Sequence, residues 1–121
     1  MIHHPKSLTG KTILVVEDDW LLAELIVQEL QSHGAEVLGP IASCSETMSI
    51  LRDDTEFDSA ILDVNLLDGE VYEAADLLIE RGANFVFASS VARADLPTRY
   101  SHIRLFRKPL EMNRYLQHFS E

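Results

Sequence analysis

Apolar and polar residues alternate along the chain in blocks that have the lengths of strands and helices. Short, mostly β-branched apolar runs such as "ILVV" at 13–16 are typical of strands buried on both faces. Longer segments between them repeat apolar residues at helical spacing. The first of these has its predicted apolar stripe at Leu21, Leu22, Leu25, Ile26 and Leu30. Five strands alternating with helices predict an α/β fold, a doubly wound five-stranded parallel sheet with helices on both faces.

Capping and helix-breaking residues mark several element ends. Asp18 or Asp19 suits the N-cap of the first helix, and Ser43 with Glu46 has the capping-box spacing for the second. Pro97 lies where a fourth helix would run. Because proline disrupts helix interiors, we expect this helix to be short, irregular or absent.

Length and composition suit a single acidic domain. The chain has 121 residues, 46% of them hydrophobic, and a net charge of −10, which disfavours direct contact with nucleic acid or anionic membranes. The single cysteine, Cys44, cannot form an internal disulfide. With no secretory signal or membrane-length apolar run, the chain is expected to be cytoplasmic. We predict a polar N-terminal tail at 1–10 and a folded domain at 11–121.

Polar side chains stand at the carboxyl end of four predicted strands. They are Glu17 and Asp18, Asp63, Ser89 and Ser90, and Lys108. The carboxyl ends of parallel strands meet at one sheet edge, where ligands bind in such folds. Close carboxylates repel by about 4 kcal/mol per pair at an effective dielectric near 20, a cost that a Mg²⁺ ion would remove. An aspartate there could act as a nucleophile toward phosphorus, with Lys108 meeting a phosphoryl oxygen.

The motifs "VVEDD", "ILDVN", "FASS" and "RKP", in this order across 11–119, resemble the receiver domain of bacterial two-component response regulators. The resemblance implies a flavodoxin-like receiver fold. It also implies Mg²⁺-dependent phosphorylation of Asp63 by a histidine kinase or a histidine phosphotransfer protein, which switches the binding of a downstream protein.

The resemblance also implies a role for each matched position. Glu17, Asp18, Asp63 and the backbone carbonyl of Asn65 would hold Mg²⁺, with Mn²⁺ as the alternative ion. The remaining positions are Ser89 as the switch hydroxyl, Lys108 as the contact to the phosphoryl group and the acids, Ser90 as the usual small residue, and Pro109 after a cis peptide bond.

Three features depart from the family pattern: the loop after Asp63, the position of Leu105, and Pro97 in a segment that is normally a helix. Leu67 replaces the usual proline and Gly69 comes six residues after Asp63 instead of eight, so the loop is shorter. Leu105 stands where the family often has an aromatic switch residue, with Phe106 beside it. We therefore expect a different route from phosphorylation to output.

Two rival functions are compatible with these residues. A Mg²⁺-dependent phosphohydrolase with an aspartate nucleophile would usually have a second acid where Asn65 stands. A receiver-like scaffold would bind its partner without being phosphorylated. We predict a signalling phosphoacceptor, not an enzyme, and a stand-alone receiver because the chain stops just past its last predicted helix. A homodimer is left open.

Overall fold

The computed structural model describes residues 7–108, which form a parallel sheet between layers of helices. The elements in chain order are β1 (Thr12–Val16), α1 (Trp20–Ser32), β2 (Glu36–Ile41), α2 (Cys44–Arg52), β3 (Ser59–Leu62), β4 (Asn65–Leu66), β5 (Gly69–Glu70), α3 (Tyr72–Glu80), β6 (Asn84–Ser89) and β7 (Leu105–Arg107). The main sheet has five parallel strands in the order β2-β1-β3-β6-β7. The predicted doubly wound fold is confirmed. The last predicted helix and Pro109 lie outside the described residues.

Strand β1 separates two hydrophobic cores. Ile13 and Val15 face the core that α1 covers, and Leu14 and Val16 face the core under α2 and α3. This alternation buries β1 on both faces, as its continuous apolar run predicted.

Helix α1 begins at its cap residue but only partly follows its predicted apolar stripe. The Asp19 carboxylate accepts hydrogen bonds from the amides of Leu21 and Leu22, at 3.1 and 3.2 Å, so Asp19 is the N-cap and Asp18 is not. Leu21 and Leu25 were predicted to face the core, but they are 58% and 45% exposed. Helical spacing alone does not determine how wide the buried face of a helix is.

The segment after β6 contains two single 3₁₀ turns, Arg93–Asp95 and Thr98–Tyr100, and no α-helix. Pro97 precedes the second turn, so the prediction that the fourth helix is short, irregular or absent is confirmed. The Arg93 guanidinium donates to the carbonyl oxygens of Tyr100 and Ile103, at 3.1 and 2.5 Å. These bonds satisfy carbonyl groups that a helix would otherwise pair.

The short loop after β3 forms a small hairpin that the sequence did not predict. Strands β4 and β5 pair antiparallel, Asn65 opposite Glu70 and Leu66 opposite Gly69. Gly69 has a φ of +139°, a conformation that other residues rarely adopt. The hairpin is therefore closed by a tight turn at Gly69.

At the N-terminal end, Leu8 lies within the predicted polar tail yet is 3% exposed and packs in the α1-side core. Its amide donates to the His33 carbonyl at 2.8 Å, so this part of the tail is attached to the domain. Across residues 7–108, no helix is both long enough and apolar enough to cross a membrane.

Candidate functional site

Backbone hydrogen bonds between strand ends set the positions of the candidate residues. The Asp63 amide donates to the Val16 carbonyl at 2.8 Å, which places Asp63 beside the end of β1. The Lys108 amide donates to the Ser89 carbonyl at 3.2 Å, which joins the ends of β6 and β7. The polar residues after the strands therefore meet at one sheet edge.

Three carboxylates converge at this edge. Glu17, Asp18 and Asp63 each offer an oxygen, and these oxygens lie within 4.8 Å of one another. Glu17 and Asp63 are 3% and 6% exposed, and Asp18 is partly exposed. An all-oxygen donor set of this kind fits Mg²⁺ or Mn²⁺, which prefer hard carboxylate ligands.

The Lys108 ammonium lies between two of the acids. Its Nζ is 2.9 Å from Asp63 Oδ2 and also pairs with Glu17 Oε1, a fully buried oxygen. The other Glu17 oxygen, Oε2, accepts a hydrogen bond from the Asp19 amide at 3.1 Å. The ion pair with Lys108 is thus what compensates the charge on Glu17 Oε1.

Burial dominates the protonation behaviour of the cluster. It raises the pKa of Glu17 to about 7; the hydrogen bond from Lys108 opposes this shift, and the neighbouring Asp63 adds to it. Burial would lower the pKa of Lys108, but its hydrogen bonds and charge interactions with Glu17 and Asp63 raise that pKa overall. One ammonium does not balance three carboxylates, so the site favours an additional cation.

The serines at the end of β6 have different environments. Ser89 is 1% exposed, and its Oγ accepts a 3.4 Å hydrogen bond from the Val91 amide. Ser90 is exposed, and its carbonyl accepts from Arg107 at 3.4 Å. The Ser89 hydroxyl is therefore buried at the end of β6, whereas Ser90 is exposed to solvent.

The structure also resembles solved receiver domains. It matches SdrG from Sphingomonas melonis Fr1 with a TM-score of 0.75 and 28% identity, covering 92% of each chain. The BeF3-activated conformation of SdrG from Pseudomonas melonis Fr1 matches with a TM-score of 0.73 and 26% identity, covering 93% of this chain and 98% of that one. The non-phosphorylated HemR receiver domain from Leptospira biflexa has a TM-score of 0.79 at 24% identity, covering 93% of this chain and 95% of the other. No protein-family model and no curated protein matches the chain.

The chain has the fold of a response-regulator receiver domain.

Leu105 stands at the usual aromatic switch position of receiver domains, and Phe106 follows it. Leu105 is half-buried against the core under α2 and α3, and Phe106 is buried in the α1-side core. Sequence reasoning assigned no role to Tyr100. This residue is fully buried, and its ring lies 5.3 Å from that of Phe87, on the strand that ends at Ser89. No periodicity signals Tyr100, because it follows a proline in an irregular segment.

The receiver domain exposes large apolar side chains close in sequence to its carboxylates. Trp20, two residues after Asp18, is 77% exposed, and Leu67, four residues after Asp63, is 76% exposed. Both side chains are therefore accessible on the surface of the domain.

Proposed function

We propose that this receiver domain is the phosphoacceptor of a two-component phosphorelay. Asp63 would receive a phosphoryl group from a phosphohistidine of a cytoplasmic histidine kinase or phosphotransfer protein. The observation that carries the proposal is the approach of the Glu17, Asp18 and Asp63 oxygens to within 4.8 Å, with Lys108 Nζ 2.9 Å from Asp63 Oδ2.

In the transfer step, a carboxylate oxygen of Asp63 attacks phosphorus. A P–O bond forms as the P–N bond to the donor imidazole breaks, and the imidazole keeps the electron pair of that bond. Lys108 turns from the carboxylates to an oxygen of the transferred group, and the Ser89 hydroxyl donates a hydrogen bond to another. Each residue thus stabilises charge on the phosphoryl oxygens.

The carboxylates of Glu17, Asp18 and Asp63, with the backbone carbonyl of Asn65, would hold the divalent cation. When bound, Mg²⁺ offsets the repulsion among the carboxylates and neutralises charge on the phosphoryl oxygens. The carboxylate oxygens are close enough together to support this assignment.

The output of the domain is proposed to be a change in partner binding. The acyl phosphate shifts the population between two conformations, and a downstream protein binds one of them more tightly. The domain therefore acts as a signalling switch, with only its own phosphorylation and dephosphorylation as chemistry. The exposed Trp20 and Leu67 offer apolar contact area to the protein that delivers the phosphoryl group.

The test is intact mass after incubation with a small acyl-phosphate donor, with and without Mg²⁺. We expect a gain of one phosphoryl group that requires Mg²⁺ and is abolished by Asp63→Asn. Asp53→Asn, at the exposed end of α2, is the matched control and should leave phosphorylation unchanged.

Two outcomes would overturn the proposal. A folded protein that binds Mg²⁺ but gains no phosphoryl group would be a receiver-like scaffold. Repeated turnover of added phosphomonoesters would make the domain a phosphohydrolase.

A further inference from the structure

The carboxylate of Asp68 links the β4–β5 hairpin to the start of α2. Asp68 Oδ1 accepts a hydrogen bond from the Cys44 amide at 2.6 Å, and Oδ2 accepts one from the Ser45 amide at 3.1 Å. The first amides of a helix have no acceptor within the helix, and a negative charge there is favourable. These hydrogen bonds lower the pKa of Asp68, so it remains ionised at neutral pH.

A second contact joins the same helix end to the hairpin. The Cys44 thiol donates to the Glu70 carbonyl at 3.4 Å. Glu70 is the strand partner of Asn65, whose carbonyl is the proposed cation ligand. Residue 44 therefore contacts both the turn of the hairpin and the strand paired with Asn65.

The two ends of the hairpin are attached in different ways. At its base, the Val71 amide donates to the Val64 carbonyl at 2.9 Å, and both side chains are buried. At its tip, Leu67 and Asp68 are exposed, and Asp68 makes polar bonds to α2. The tip of the hairpin is thus held by charge and hydrogen bonding, whereas its base is held by apolar burial.

We infer that Asp68 is a positioning residue for the phosphorylation site. By binding the N-terminus of α2 it holds the hairpin, and so aims the Asn65 carbonyl at the cation site. This inference rests on the proposed function, because it assumes that Asn65 helps to bind Mg²⁺. Asp68 itself touches neither the cation nor the phosphoryl group.

The experiment compares Asp68→Ala with Ser43→Ala by calorimetric titration of Mg²⁺ into each folded variant. Ser43 caps the same helix through a 3.2 Å bond from the Glu46 amide, so its removal weakens α2 without releasing the hairpin. We expect Asp68→Ala to weaken Mg²⁺ binding about tenfold, the lower end for loss of a residue that orients a metal ligand. Ser43→Ala should change the Mg²⁺ affinity by less than about twofold. Asp68→Asn keeps one acceptor oxygen, so its Mg²⁺ affinity should lie between those of the two alanine variants.

Amide hydrogen exchange without metal gives an independent readout. We expect faster exchange at the Cys44 and Ser45 amides in Asp68→Ala than in Ser43→Ala at matched stability, and unchanged exchange at Val71 in the apolar base of the hairpin. Equal Mg²⁺ affinity in wild type and Asp68→Ala, or equal losses in both alanine variants, would overturn the inference alone. Failure of the wild type to bind Mg²⁺ would overturn the proposed cation site and the inference with it.

Discussion

Asp63 occupies a position that is unfavourable for the stability of the fold. Its carboxylate is 6% exposed and lies beside two other acids, with one ammonium, Lys108, to offset them. Burial of a charge costs several kcal/mol unless partners compensate it, and here the compensation is shared with Glu17. The side chain therefore stands in an electrostatically costly position, a cost that a bound divalent cation would reduce.

Replacing Asp63 by asparagine is expected to stabilise the protein in the absence of divalent metal. The change removes one of three mutually repelling charges and leaves Lys108 to Glu17, so we expect a gain of about 1 kcal/mol in the free energy of unfolding. Urea denaturation at neutral pH with a chelator measures this gain.

With saturating Mg²⁺, the wild type should be more stable than Asp63→Asn. A ligand that binds only the native state raises the free energy of unfolding by about 2.7 kcal/mol when its concentration is about a hundred times Kd. Only the wild type has the full set of proposed Mg²⁺ ligands. The exposed Glu56→Gln, with the same change in charge, is the control. A destabilised metal-free Asp63→Asn would contradict this account of the site.

Among the elements, the 93–103 segment is attached to α3 by one polar and aromatic cluster. The Tyr100 hydroxyl lies 2.5 Å from Asp76 Oδ1, and its ring stacks on Tyr72 at 5.4 Å. Arg99 binds the same carboxylate with its Nε at 2.9 Å, and its guanidinium carbon lies 4.6 Å from the centre of the Tyr100 ring. Two single 3₁₀ turns have little stability of their own, so these contacts hold the segment in place.

The cluster predicts a pH-dependent contribution to stability. The hydrogen bond from Arg99, followed by that from Tyr100, lowers the pKa of Asp76 below its usual 3.8. A lowered pKa in the folded state means a contribution that is complete above pH 3.8 and is lost as pH falls through the folded value. Asp76→Asn should therefore cost about 1 kcal/mol at pH 6, and this cost should shrink below pH 3.8.

Denaturation from pH 3 to 7, with Glu73→Gln as the control, checks this prediction. Glu73 lies on the same helix in a highly exposed pair with Arg52, at 3.5 Å, so its loss should change stability little. An Asp76→Asn penalty that stays constant down to pH 3 would show that ionisation of Asp76 does not stabilise the segment.

At the scale of the whole molecule, net charge acts against the folded state. The chain has 20 acidic and 10 basic residues, and compaction brings like charges together. Exposed ion pairs such as Arg99–Asp76 stabilise the folded state, but each contributes only about 0–1 kcal/mol. Repulsion should therefore dominate the response to salt.

We expect stability to rise as NaCl increases from about 0.01 to about 0.1 M, since the Debye length falls from about 30 to about 10 Å. Asp63→Asn should show the same rise with NaCl but a smaller response than wild type to Mg²⁺ at equal ionic strength. Thermal denaturation measures both responses. A fall in stability with NaCl would show that attractive pairs outweigh the repulsion.

Patterns that repeat along the chain were sufficient to predict the sheet and the location of its site. Apolar runs at β1, β3 and β6 predicted buried parallel strands, and parallel strands bring their carboxyl ends to one edge. Asp63 and Lys108 therefore had to lie near each other, although 45 residues separate them. Pro97 likewise predicted a local break, because its effect on helices does not depend on tertiary context.

Only the tertiary structure decided features that rest on single contacts between distant residues. The hydrogen bond from the Cys44 amide to Asp68 spans 24 residues, and the one from the Tyr100 hydroxyl to Asp76 also spans 24. Neither leaves a periodic signal, since each depends on how two irregular segments meet after the sheet has formed. The exposure of Leu21 was decided in the same way, because the packing of α1 on the sheet, and not its apolar spacing, selects which residues are buried.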